Sequence, residues 1–109
     1  MCAKKITYNK LVRDRIPEII EASGKRCEMR MLENEEYLCM LDAKLDEELA
    51  EYHKDQNIEE LADLLEVVYA VANARGSCVR ELEEIRNKKA TERGRFEQKI
   101  LLIEVEEAQ

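Results

Sequence analysis

Four carboxylates recur in two matched pairs, Glu48-x-x-Glu51 within KLDEELAEY (Lys44 to Tyr52) and Glu60-x-x-Asp63 within EELADLLEV (Glu59 to Val67). Residues three apart on a helix share a face, so each pair projects together and repels itself. If two such helices pack antiparallel, both pairs can face one space and concentrate four negative charges there. Hard oxygen donors at that density suit Mg²⁺ or Mn²⁺, which offset the repulsion and keep positions open for water or a substrate. A metal held by carboxylates alone usually works on phosphates. The basic residues Lys10, Arg13, Arg15, Lys44, Lys88, Lys89, Arg93 and Arg95 are then candidates for a phosphate clamp. No Walker-type glycine-rich loop is present to cradle a phosphate by backbone.

Plainer roles fit the same residues. Glu60 is also the third residue of a helix whose N-cap would be Asn57, the spacing of a capping box. Glu47, Glu48 and Glu51 would equally form the solvated side of an amphipathic helix, and each basic residue taken singly reads as ordinary surface charge. Spacing alone leaves these alternatives open.

The elements that must position these side chains are helices. From about Glu35 to Lys54, Leu38, Leu41, Leu45, Leu49 and Tyr52 recur at three- and four-residue steps, the period of one helical face. Asp55 to Asn57 breaks the pattern, and Ile58, Leu61, Leu65, Val68 and Ala72 mark a second stripe ending at Gly76. Two long helices joined by so short a turn are expected to run antiparallel, with Leu45, Leu49, Leu61 and Leu65 on the inner side. A short helix is predicted around Pro17 to Ala22, stopped at Gly24. A further helix is predicted after Ser77 as N-cap, carrying Val79, Leu82 and Ile85 inward. Cys27 to Leu32 reads as a brief strand or an extended connector. The segment from Phe96 onward reads equally as strand, helix or a piece buried against another subunit.

Bulk properties set the frame. At 109 residues, 45% hydrophobic and 39% charged, with 3 Gly and 1 Pro, the chain fits a single all-α domain over residues 1–109. A compact fold of this size would bury roughly 65% of its unfolded surface. No apolar run approaches the ~20 residues of a membrane span, and the start lacks the apolar core of a signal peptide, so no membrane partner and a cytoplasmic location are expected. Cys2, Cys27, Cys39 and Cys78 are scattered, with no Cys-x-x-Cys and only His53 as histidine, which favours reduced thiols over a zinc site. A net charge of −7 argues against nucleic acid as a partner. The charge is uneven: Glu33 to Glu66 holds thirteen acidic and two basic residues, whereas Met1 to Arg26 holds seven basic and three acidic.

Together with the opening YNKLVRDRIPEII and the later RNKKATERGRFEQKI, the two acidic motifs resemble the all-α nucleoside triphosphate pyrophosphatases, the MazG-like and phosphoribosyl-ATP pyrophosphohydrolase-like superfamily. The resemblance runs over nearly the whole chain. It implies an antiparallel helical hairpin as the core of a small bundle completed by oligomerisation, as a homodimer or a dimer of dimers. It implies Mg²⁺-dependent hydrolysis of a nucleoside triphosphate between its α and β phosphates, with Mn²⁺ as the other candidate ion. On this resemblance Glu48, Glu51, Glu60 and Asp63 are the metal ligands. Glu47 is either the base for the attacking water or an outer carboxylate. Asn87, Lys88 and Arg93 match the family's later substrate-contacting segment, and Lys44, from the basic residues above, is the further candidate substrate contact. The opening differs from that of the histidine-pathway enzymes, so nucleotide-pool housecleaning is the first expectation, phosphoribosyl-ATP hydrolysis the second, and a catalytically silent helical interaction module the reading from another class.

Overall fold

The computed structural model describes residues 4–108, and the described residues hold four helices and no strand. They are α1 (Ile16–Ala22), α2 (Asn34–Asp55), α3 (Ile58–Ala74) and α4 (Val79–Arg93). The chain is therefore all-α.

Each boundary has a local cause. Pro17 sits in the first turn of α1, where its missing N–H costs nothing, and Gly24, at φ +89°, takes the chain out of the helix. The 22 residues of α2, roughly 33 Å long, end where Gln56 turns left-handed at φ 50° and its N–H meets the Tyr52 carbonyl at 2.7 Å. Asn57 then starts α3 at once, its Oδ1 accepting the Glu60 N–H at 2.9 Å. Gly76 ends α3: its own N–H donates to the Asn73 carbonyl and that of Ser77 to the Ala72 carbonyl at 2.9 Å, the paired bonds of a Schellman motif. The N-cap of α4 is Cys78, not the expected Ser77, with Sγ accepting the Glu81 N–H at 3.4 Å. Ser77 is instead used as the residue that closes α3, which moves the cap one position on. Cys27 to Leu32 is a connector without strand pairing.

Packing departs further from expectation. α2 and α3 lie against one another, while α4 touches α3 only thinly. Leu41 is the sole buried apolar side chain among the described residues, at 2% exposure, and the expected inner leucines Leu49, Leu61 and Leu65 are 40–46% exposed. The molecule measures 79 × 31 × 24 Å, with a radius of gyration of 19.8 Å against about 13 Å for a compact domain of this length. It exposes 10649 Å². A compact protein of 12.8 kDa exposes about 6,300 Å² and its unfolded chain about 18,600 Å². The single chain thus buries about 43% of its unfolded surface rather than the roughly 65% expected. The reason is architectural: α2 and α3 form one layer, and a domain needs a second layer to cover its apolar faces.

No helix among the described residues is long and apolar enough to cross a membrane. Cys27, Cys39 and Cys78 are free thiols, and Cys2 lies outside the described residues.

Candidate metal centre

The short Gln56–Asn57 connection lets the end of α2 face the start of α3. Side-chain pairings run in opposite order along the two helices. Arg75 near the end of α3 reaches Asp42 early in α2 at 3.4 Å, and Glu60 and Asp63 near the start of α3 meet Glu48 further along α2. One carboxylate oxygen from each of Glu48, Glu60 and Asp63 lies within 4.8 Å of the others, all three residues being half-buried. Opposite ligands on one Mg²⁺ are about 4.2 Å apart, since each sits 2.0–2.1 Å from the ion. Small side-chain rotations therefore bring these oxygens to ligand spacing, and three ionisable oxygen donors are the set that a hard divalent cation takes.

Glu51 does not complete one four-carboxylate cluster. It belongs to a second group with Asp55 and Glu60, overlapping the first through Glu60. Glu51 lies one turn nearer the connection than Glu48, where Asp55 is its i+4 neighbour. Asp55 was not singled out by the motif spacing, though an acid at i+4 from a predicted ligand was the available signal.

Glu60 is the shared group, and its carboxyl is held above the usual range by partial burial first and then by Asp55, Asp63, Glu51 and Glu48. Asn57 caps the same residue's backbone. The capping role and the cluster role thus coexist in Glu60, one through the main chain and one through the side chain.

Cations from the chain's basic opening sit against the acids. Arg13 donates to Asp63 Oδ1 at 2.6 Å and approaches Glu66 at 3.9 Å. Lys10 lies 3.5 Å from Glu47. Lys44, expected as a substrate contact, is 3.5 Å from both Glu47 and Glu48, with 18% of its side chain exposed and 13% of Glu48's. Glu47 therefore lies beside the cluster with an amine on each oxygen.

Asn87, Lys88 and Arg93 are all on exposed turns of α4. No hydrogen bond or ion pair among the described residues joins them to the acidic cluster. Asn87 and Arg93 instead line an open cavity of about 480 Å³ with Thr91, Arg95, Gln98 and Ile100, between the end of α4 and the segment that follows it. Lys88 is outside that lining.

Comparison with known proteins adds little to this geometry. No family model matches the chain, and no solved structure matches it. An uncharacterized protein from Mycolicibacterium smegmatis (strain ATCC 700084 / mc(2)155) is 63% identical over 41 residues. That stretch is 38% of this chain and 42% of the other protein's length. The similarity brings no activity with it.

Proposed function

We propose that this chain is a Mg²⁺-dependent nucleoside triphosphate pyrophosphohydrolase, cleaving between the α and β phosphates to a monophosphate and pyrophosphate. Mn²⁺ is the alternative ion, nucleotide-pool housecleaning the setting, and the cytoplasm the location. The observation that carries the reading is the convergence of Glu48, Glu60 and Asp63 from two helices within 4.8 Å. With it goes the resemblance of the acidic motifs and their flanks to the MazG-like and phosphoribosyl-ATP pyrophosphohydrolase-like superfamily. We read α2 and α3 as an antiparallel hairpin, supported by the opposed order of the Asp42–Arg75 and Glu48–Glu60 pairings, and the active form as a homodimer or dimer of dimers, supported by the exposed leucine faces.

In this reading the cation supplies Lewis-acid polarisation of the phosphate and offsets charge on the leaving pyrophosphate. Glu48, Glu60 and Asp63 hold it, and Glu51 is positioned through Glu60 to support it. Glu47 takes the proton of the attacking water, and Lys10, Lys44 and Arg13 supply positive charge beside the phosphates. Asn87, Lys88 and Arg93 would reach the substrate from α4 of a second copy, since among the described residues no bond connects them to the acids.

A second reading has its own observation. Lys10, Arg13 and Lys44 already pair with Glu47, Asp63 and Glu48, the use that a catalytically silent helical module would make of them. The two separate in one experiment: product analysis after incubation with Mg²⁺ and a panel of canonical and modified nucleoside triphosphates plus phosphoribosyl-ATP, with Glu48→Gln as control. Monophosphate and pyrophosphate from the wild type, absent in the variant, are the expected result, and the compound that turns over chooses between housecleaning and phosphoribosyl-ATP hydrolysis. No turnover of any compound with Mg²⁺ or Mn²⁺ would leave the silent module.

A further inference from the structure

After α4 the chain makes a turn, with the Lys99 N–H on the Phe96 carbonyl at 3.3 Å, and then runs on without helix or strand from Ile100 to Ala108. Ile100, Leu101, Leu102, Ile103 and Val105 are 74–85% exposed. Four consecutive large apolar residues are the pattern of a strand covered on both faces, not of one with a wet side. Nothing among the described residues covers it. Glu104, Glu106 and Glu107 follow directly.

A second segment without helix or strand precedes α1, at residues 4–9, and it is complementary. Lys4 and Lys5 are followed by Ile6 and Tyr8, which alternate and are 63% and 67% exposed. The two segments carry their features in reversed order: basic then apolar before α1, apolar then acidic after α4. Antiparallel pairing in one register sets Tyr8 against Leu101, Ile6 against Ile103 and Lys5 against Glu104, with Lys4 opposite Val105. Parallel pairing would set the lysines against Ile100 and Leu101. Within one chain no hydrogen bond or ion pair joins the two segments among the described residues.

We propose that residues 100–107 form an arm that adds as a strand to residues 4–9 of a second copy of this chain, reciprocally about a two-fold axis. This is strand addition, in which main-chain bonds give affinity and alternate side chains set register. The area agrees. The chain exposes about 4,400 Å² more than a compact protein of its mass, above the roughly 1,000–2,500 Å² that each partner contributes to an obligate interface. The proposal rests on the homo-oligomer proposed above, and it names the segment that makes it.

The test is sedimentation of the full chain over a dilution series, with four variants and no turnover assay. Leu101→Asp with Ile103→Asp should raise the dissociation constant by at least about 100-fold, since two buried apolar side chains become charges. Lys5→Glu alone and Glu104→Lys alone should each weaken assembly about 3- to 10-fold, and the two together should recover most of the loss, as expected for opposite charges across paired strands. The exchange of charge keeps the test open should the aspartate variant fail to fold. An assembly unchanged by the aspartates, or a double reversal no better than the singles, would overturn the arm while leaving the oligomer standing. A wild-type monomer at all concentrations would overturn both. Lys5–Glu104 coupling seen in thermal stability but independent of dilution would mean that the arm folds back on its own chain, which also overturns the exchange.

Discussion

Replacing Glu48 with Gln tests whether the acidic cluster is a cation site or an arrangement of structural ion pairs, because the two predict opposite signs. Glu48 feels two carboxylates within 4.8 Å, those of Glu60 and Asp63, and one ammonium, that of Lys44, at 3.5 Å. Coulomb energy falls as the inverse of distance, so two repulsions at 4.8 Å outweigh one attraction at 3.5 Å by about 1.5 to 1 at any shared dielectric. In a water-like dielectric the lost attraction is about 1.2 kcal/mol, and removing the charge is net favourable by about 0.5 kcal/mol. Without divalent ions, Glu48→Gln should therefore melt at the wild-type temperature or about 2–4 °C above it. Adding Mg²⁺ should reverse the order. Wild type at 100 times its dissociation constant gains about 2.7 kcal/mol, or roughly 10–20 °C, and the variant, short of one ligand charge, gains far less. Differential scanning fluorimetry with EDTA and with Mg²⁺ reads both arms. A variant that melts below wild type in EDTA, with the same Mg²⁺ response, would refute the cluster reasoning and leave Glu48 as the partner that fixes Lys44.

The raised Glu60 carboxyl makes a pH prediction. Its proton is held more tightly in the folded chain than in the unfolded one, so its contribution to metal-free stability is full below the ordinary carboxylate value of about 4.5 and is lost as pH rises through the raised value. Binding a divalent cation needs the ionised form, so stability curves with and without Mg²⁺ should separate progressively from that pH upward; curves that stay parallel would refute the shared role of Glu60. At the connection, Asn57→Ala removes the acceptor for the Glu60 N–H and should cost about 0.5–2 kcal/mol in thermal or urea unfolding. Asn57→Asp should recover most of it, and equal losses in both would show that the cap contributes through something other than its oxygen.

Much of the helical framework was legible because its signals are local. The Leu38, Leu41 and Leu45 spacing marks α2, Asn57 three residues before Glu60 marks the start of α3, and Gly76 marks its end; the structure puts boundaries at all three. At the start of α4 the sequence favours Ser77, because serine oxygen is the stronger acceptor in isolation, whereas the Schellman bonds that use Ser77 leave the cap to the thiol of Cys78. Periodicity also reveals that a face is apolar without revealing what covers it, so Leu49, Leu61 and Leu65 were assigned inward although their own chain leaves them open. At the site, the pairing of Glu48 with Glu60 and Asp63 follows from helix geometry plus a short turn. Arg13 on Asp63 does not follow, because it spans 50 positions and depends on where an irregular segment crosses the helices. Asp55 is hidden for a related reason: an acid at the end of a helix opposes its dipole and reads as a breaker rather than as a ligand.

A 79 Å molecule with one buried leucine among its described residues would, if it assembles as proposed, tie stability to abundance. Most proteins of this size hold their shape regardless of how many copies surround them, because their stabilising contacts are internal. In the homo-oligomer proposed above, much of the exposed apolar surface would be covered by another copy, and mass action would then set the folded fraction. Melting temperature should climb with the logarithm of protein concentration, and dilution alone should soften the chain. For such an assembly, expression level would act as a threshold, scarce copies being open to proteolysis and abundant ones persisting.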